Sequence, residues 1–249
     1  MKTIIAANWK MNKTRPQAEA VAGDVAASLK ESPAEGRDVI IFPPATCLDC
    51  VSAVAQGAFE TGIQNLYPAE EGAFTGEIAP AMVHDAGGTW ALVGHSERRH
   101  IFKEADDFIS TKVNFALAHD LKVMLCVGET LEEREADQLR TVLLRQITSG
   151  LSGQAAGTVD RIAIAYEPVW AIGTGKTAGP GEILEAHEII RDILRIVFTS
   201  GDEVPILYGG SVKPANAADI LALDNVNGLL VGGASLEAKS FLDIVRAGL

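Results

Sequence analysis

The stretch RIAIAYEPVWAIGTGKTAGPGEILEAHEIIRDILRIV, residues 161–197, contains one whole unit of the fold. Its first six residues, Arg161 to Tyr166, form a short and nearly continuous apolar run, which suits a strand covered on both faces. Its last part changes period. Ile183, Ala186, Ile190, Leu194 and Val197 recur every three or four residues and so fall on one face of a helix. A strand followed by an amphipathic helix is a β/α unit, and the same change of period recurs on both sides of this one.

Strands are expected at Thr3 to Trp9, Asp38 to Phe42, Ala58 to Gln64, Thr89 to Val93, Val123 to Val127, Arg161 to Tyr166, Val204 to Tyr208 and Val226 to Val231. The third is the least marked. Pro205 has no N–H to give to a ladder and is placed at the first residue of the seventh. The first helix has its apolar face on Ala18, Val21, Val25 and Leu29. Eight units in 249 residues average about 31 residues each, the size of a βαβ unit, and their sum suits a closed (β/α)8 barrel. Residues 1–249 are read as a single domain, since no linker, charge block or fixed-period motif divides them. An open doubly wound sheet is the alternative.

Composition narrows the function. The chain carries 33 acidic against 21 basic residues, a formal charge of −12, which argues against a protein built to hold a nucleic-acid backbone. A small anion is still within reach, because helix N-termini and main-chain N–H groups bind one with few cations. No apolar run approaches the roughly 18 residues that cross a bilayer, and MKTIIAANWK has no leader-like core. Three cysteines are too few for a disulfide scaffold. A soluble, cytoplasmic protein is expected, with no nucleic-acid or membrane partner.

In a parallel barrel the segments after each strand converge on one rim, where chemistry is sited. Asn8 and Lys10 follow the first strand, His95 the fourth and Glu167 the sixth; Gly209, Gly210 and Ser211 follow the seventh, Gly232 and Gly233 the eighth. Glu167 opens EPVWAIGTGKT (167–177), which begins on a φ-locked proline and ends on two glycines around an apolar body. This reads as a lid, and a carboxylate at its base is expected to gain basicity by desolvation. His95 precedes SERR at a short helix's start, where the positive end of the dipole is expected to lower its pKa and keep it a neutral donor. The glycine pairs would let main-chain N–H groups approach a phosphate. His84, His100, His119 and His187 fall in helical stretches and are given no role.

Three other motifs carry less. GTGKT (173–177) lacks the earlier glycine of a Walker A loop, since Trp170 stands there. GxGxxA (173–178) does not follow its strand directly, as a dinucleotide fold requires. Cys47 and Cys50 form a C-x-x-C with no second pair to complete a zinc site and read as helix-facing thiols.

Six blocks, AANWKMN (6–12), VGHSERR (93–99), LCVGE (125–129), AYEPVWAIGTGK (165–176), LYGGSV (207–212) and LLVGGASL (229–236), stand in the order and spacing of the triosephosphate isomerase family, which the chain resembles from end to end. That family is itself the standing example of a carboxylate base beside a neutral histidine and of lid closure, so these features are implied by the resemblance. It implies interconversion of D-glyceraldehyde 3-phosphate and dihydroxyacetone phosphate through an enediol or enediolate, in glycolysis and gluconeogenesis, without metal or cofactor. Glu167 matches the base, His95 the electrophile, Lys10 the cation and Asn8 a polar substrate contact. Gly173, Ser211, Gly232 and Gly233 match the phosphate donors, and Glu97 a partner of Lys10 or a relay. The segment Gln64 to Glu77, with GAFTGE at 72–77, matches the dimer loop and implies a homodimer with Thr75 reaching the neighbouring site. The chain departs from the family pattern at Ala7, Lys13, Ala79, Lys103 and Ala105, with glycine common at 7, 13 and 103. A catalytically silent phosphosugar-binding paralogue is the alternative, and the intact set Lys10, His95 and Glu167 argues against it; another phosphosugar barrel enzyme is disfavoured by the complete lid.

Overall fold

The structure, a computed structural model, describes residues 3–171 and 178–249. Of the expected lid at 167–177, residues 172–177, Gly173 among them, lie outside the described residues. Eight strands run in chain order: β1 (Thr3–Asn8), β2 (Arg37–Phe42), β3 (Glu60–Ile63), β4 (Trp90–Val93), β5 (Lys122–Val127), β6 (Ile162–Tyr166), β7 (Ile206–Tyr208) and β8 (Gly228–Val231). All neighbouring pairs are parallel and the ring closes where Ile4 to Ala7 of β1 register with Gly228 to Val231 of β8. The closed ring excludes the open doubly wound sheet.

The helices α1 (Arg15–Glu31), α2 (Leu48–Ala55), α3 (Pro80–Asp85), α4 (Ser96–His100), α5 (Asp106–Ala118), α6 (Leu131–Glu135), α7 (Leu139–Gly150), α8 (Pro180–Val197), α9 (Pro214–Leu221) and α10 (Ala238–Val245) fill the connections. Helix α8 starts on Pro180, whose missing N–H is no loss at that position, and the N–H of Gly179 donates to the Glu182 carboxylate at 2.6 Å. It buries Ile183, Ala186, Ile190 and Leu194 as its period requires, while Val197 is partly buried against the same core.

The strands alternate between two cores. Ile4, Ala6, Ile40, Phe42, Trp90, Leu92, Met124, Cys126, Ala163, Ala165, Leu207 and Leu230 form one cluster. Ile5, Ala7, Ile41, Ala91, Val93, Ile164, Leu229 and Val231, the intervening residues, belong to a second cluster shared with the helices. Both faces of the strands other than β3 are therefore apolar, which is why those strands read as continuous runs, while β3, with Glu60 and Gly62 on one face and Thr61 and Ile63 on the other, is the least marked.

The strands are shorter than their apolar runs at several ends. Pro205 lies just outside β7, not at its first residue; its carbonyl accepts from Ile164 N–H at 2.9 Å, and the N–H of Ile206 donates to Asn227 Oδ1 at 3.0 Å. The chain leaves β1 at Asn8, so Trp9 falls beyond the strand. All three cysteines are buried free thiols.

Candidate active site

The inward period-two parity of the strands carries on past their ends. Inward Ile4 and Ala6 are followed by Asn8; Ala163 and Ala165 by Glu167; Leu207 by Gly209; Leu230 by Gly232. On β4 the parity slips by one residue. Gly94 takes φ +73°, a left-handed turn, and His95 becomes the residue turned to the centre. Asn8, Lys10, His95, Glu167, Ser211, Gly232 and Gly233 consequently line one cavity of about 490 Å³.

Glu167 and His95 are both buried. Oε1 of Glu167 lies 2.9 Å from Nε2 of His95, and Oε2 accepts the main-chain N–H of Ser96 at 2.9 Å. Nδ1 of His95 accepts the N–H of Glu97 at 3.2 Å, so the ring's one proton is on Nε2 and points at the carboxylate. Room for Glu167 comes from glycine: a Cβ on Gly209 would fall 3.0 Å from its Cγ.

Burial pushes the Glu167 carboxyl up, but His95, the Ser96 N–H and Lys10 together hold it below the ordinary value. The expected gain in basicity by desolvation is thus overturned while these partners hold it. Burial lowers His95, and the adjoining carboxylate outweighs it, so the net direction is upward where the helix terminus alone argues for a fall. A second proton would have to take Nδ1, which accepts the Glu97 N–H, so this bond opposes the rise.

Lys10 is held in the left-handed region at φ +50° by its surroundings. Its N–H donates to Asn8 Oδ1 at 3.0 Å, Gln64 Nε2 donates to its carbonyl at 2.9 Å, and its ammonium pairs with Glu97 Oε1 at 2.7 Å. Glu97 faces a second cavity of about 370 Å³ that meets the first at Asn8, Lys10 and His95. Gly233 opens a single helical turn, Gly233–Ser235, whose N–H groups begin at the cavity. Thr75 is exposed and lines neither cavity.

Comparison with known proteins places this geometry in a lineage. The family model described as triosephosphate isomerase matches residues 3–248. The chain belongs to the triosephosphate isomerase family. The triosephosphate isomerase of Nitratidesulfovibrio vulgaris strain Miyazaki F is 52% identical over 99% of this chain and 100% of its own length. That of Lawsonia intracellularis is 47% identical over 100% and 99%. The crystal structure of triosephosphate isomerase from Bartonella henselae superposes with a TM-score of 0.89 at 37% identity, covering 99% of both chains.

Two departures from the triosephosphate isomerase pattern now have a physical meaning. Lys13 and Lys103, at positions where glycine is common, take φ +79° and +59°, the region that favours glycine. Lys13 offsets its strain with a 2.6 Å bond from Nζ to Leu236 O and a place over the Trp9 ring.

Sequence reasoning also passed over three members of the site. Ser96 acts through its N–H, Gln64 through an amide that ties Lys10 O to Phe42 O, and Glu129 through a buried carboxylate that accepts from Tyr166 Oη at 3.0 Å and Trp170 Nε1 at 2.8 Å. Glu129 alone gave a signal, as a carboxylate beside an apolar strand.

Proposed function

We propose that the chain interconverts D-glyceraldehyde 3-phosphate and dihydroxyacetone phosphate by moving a proton between adjacent carbons. The observation that carries this reading is the meeting of the His95 Nε2–H and the Glu167 carboxylate in one cavity with Lys10 and the Gly232–Gly233 turn. The two triose phosphates differ in which of two neighbouring carbons is the carbonyl. A catalyst therefore needs a base that reaches both carbons and a donor that faces both oxygens.

Glu167 is the base. It takes a proton from the carbon next to the carbonyl; the C–H electron pair forms the C=C bond, and the carbonyl pair moves to oxygen as an enediolate. The same carboxyl group returns a proton to the other carbon, and the hydroxyl proton of the first carbon passes to the oxygen that gained charge, so that the carbonyl has moved by one carbon. His95 donates from Nε2 to the oxygen that gains charge, Lys10 adds a cation beside it and Asn8 a polar contact. Main-chain donors at Gly173, Ser211, Gly232 and Gly233 hold the phosphate, which explains how an acidic chain binds a dianion. Holding it matters, because an enediolate beside a loose phosphate ester expels the phosphate. Substrate enters between His95 and Glu167, so the carboxylate must turn from its bonds to Ser96 and His95 toward the carbon.

The active form is a homodimer. Met11, Phe74, Met82, Ile101 and Phe102 are large apolar side chains left exposed, and the second cavity, open beside Lys10, His95 and Glu97, suits the Thr75 loop of another copy. The chain acts as one catalytic domain in the cytoplasm, in glycolysis and gluconeogenesis; no helix among the described residues is long and apolar enough to cross a membrane.

The test is a coupled assay of glyceraldehyde 3-phosphate conversion with the parent protein and Glu167→Gln. The reading expects turnover in the parent and its loss in the variant. Phosphosugar binding without turnover in the parent would replace it with the silent paralogue, and a monomer in sedimentation would remove the dimer.

A further inference from the structure

Arg99 follows His95 by one helical turn, and its side chain is 7% exposed. Its guanidinium is shared between two strand ends and a helix. Nε donates to Gly94 O at 2.7 Å, Nη2 to Cys126 O at 3.0 Å, and Nη1 pairs with Asp106 Oδ1 at 2.6 Å. The other oxygen of Asp106 takes Nε of Arg145 from α7 at 3.1 Å, so the outer edge of the fork is itself held.

Both carbonyls belong to backbone that shapes the site. Gly94 is the left-handed residue at which the inward parity of β4 passes to His95. A Cβ there would fall 2.9 Å from Nη2 and 3.1 Å from Cys126 O, so the glycine and the arginine need each other's place. Cys126 is, with Met124, an inward residue of β5, two before Gly128, whose α-carbon packs so closely on the Glu167 main chain that a Cβ would overlap it. One fork thus ties the segment that aims His95 to the segment that backs Glu167.

Chemistry makes the residue type specific. Two carbonyl oxygens have no donor to offer one another, and a planar cation with several donors in fixed directions satisfies both at once. An ammonium also carries several donors, but on one nitrogen, and cannot reach both carbonyls and Asp106 from one rigid plane.

We propose that Arg99 is a positioning residue for the isomerisation: by joining Gly94 O to Cys126 O it fixes the turn that sets Nε2 of His95 opposite Glu167. This rests on the isomerase reading above. Among the described residues its guanidinium bonds only Gly94, Cys126 and Asp106, none of them in a phosphate loop, so its loss moves the chemical step and leaves ground-state binding in place.

The experiment is steady-state kinetics of Arg99→Lys, and of Arg99→Ala with and without added methylguanidinium, beside the parent protein. The expected result is a kcat about tenfold lower in Arg99→Lys with KM within about twofold of the parent, and a larger loss in Arg99→Ala that methylguanidinium partly restores. A kcat within about twofold of the parent in folded Arg99→Lys overturns the proposal, as does a joint change of kcat and KM without rescue. If both variants fail to fold, Asp106→Asn, which frees only the outer edge of the fork, must lower kcat about threefold at unchanged KM; full activity there also overturns it. A parent protein without turnover would instead sink the isomerase reading, so the two failures are separate.

Discussion

Nε2 of His95 and Oε1 of Glu167 lie 2.9 Å apart, each the other's hydrogen-bond partner inside a buried site. The contact couples their charges: a carboxylate beside the ring favours its protonation, against the effect of burial. Removing that charge therefore has a defined sign. In Glu167→Gln the His95 ring should titrate at lower pH than in the parent, as followed by imidazole nitrogen NMR. An unchanged titration would mean that the two groups do not share this contact in solution.

Gly209→Ala places a methyl group 3.0 Å from Glu167 Cγ and 3.2 Å from Tyr166 O. The strand end has little slack, so Glu167 Cγ has to shift by a few tenths of an ångström, which displaces the carboxylate from the position it acts from. The expected effect is a fall in kcat of about tenfold or more, larger than the accompanying loss of thermal stability would cause. Parent-like kcat would show that Glu167 is not seated against this glycine.

His187 is buried with Nδ1 3.0 Å from Asn225 O, and burial lowers it from 6.5 to about 4. Its Nε2 meets no partner among the described residues. With the folded value below the unfolded one, the contribution is fully present above pH 6.5 and is lost as pH falls toward 4, to a total of about 3 kcal/mol. Urea unfolding midpoints across this window should fall more steeply for the parent than for His187→Gln. Parallel curves would contradict the assignment.

Lys103 and Lys13 share a left-handed backbone but not its consequences. Lys103 is exposed, whereas Lys13 bonds Leu236 O and covers Trp9. Lys103→Gly should gain about 0.5 kcal/mol, the relief of strain less the added freedom of the unfolded chain, and Lys13→Gly should gain nothing or lose. Denaturant titration of the two variants decides it, and equal shifts would remove the compensating role of the Lys13 side chain.

The architecture was legible because every strand buries both faces, and a run such as Ile162–Tyr166 needs no partner to be recognised. Its ends were not, since they depend on which partners the main chain finds: at the start of β7 Pro205 has no N–H, and that of Ile206 is taken by the Asn227 side chain. Asn8, Glu167 and Gly232 could be anticipated as continuations of inward positions, whereas His95 depends on the turn at Gly94, which the sequence marks only as a glycine. Ser96 and Arg99 stayed hidden for a different reason. The first works through a main-chain N–H and the second through bonds to main-chain carbonyls, and neither leaves a side-chain signature.

The central claim is that Glu167 moves a proton, not a hydride, between two carbons. The direct measurement is conversion of dihydroxyacetone phosphate in deuterium oxide, with the glyceraldehyde 3-phosphate formed examined by proton NMR. A carboxyl group that exchanges with solvent during the enediolate's lifetime should leave deuterium on the carbon next to the aldehyde, and Glu167→Gln should form no labelled product. Product formed at the parent rate with no deuterium on that carbon would contradict the account.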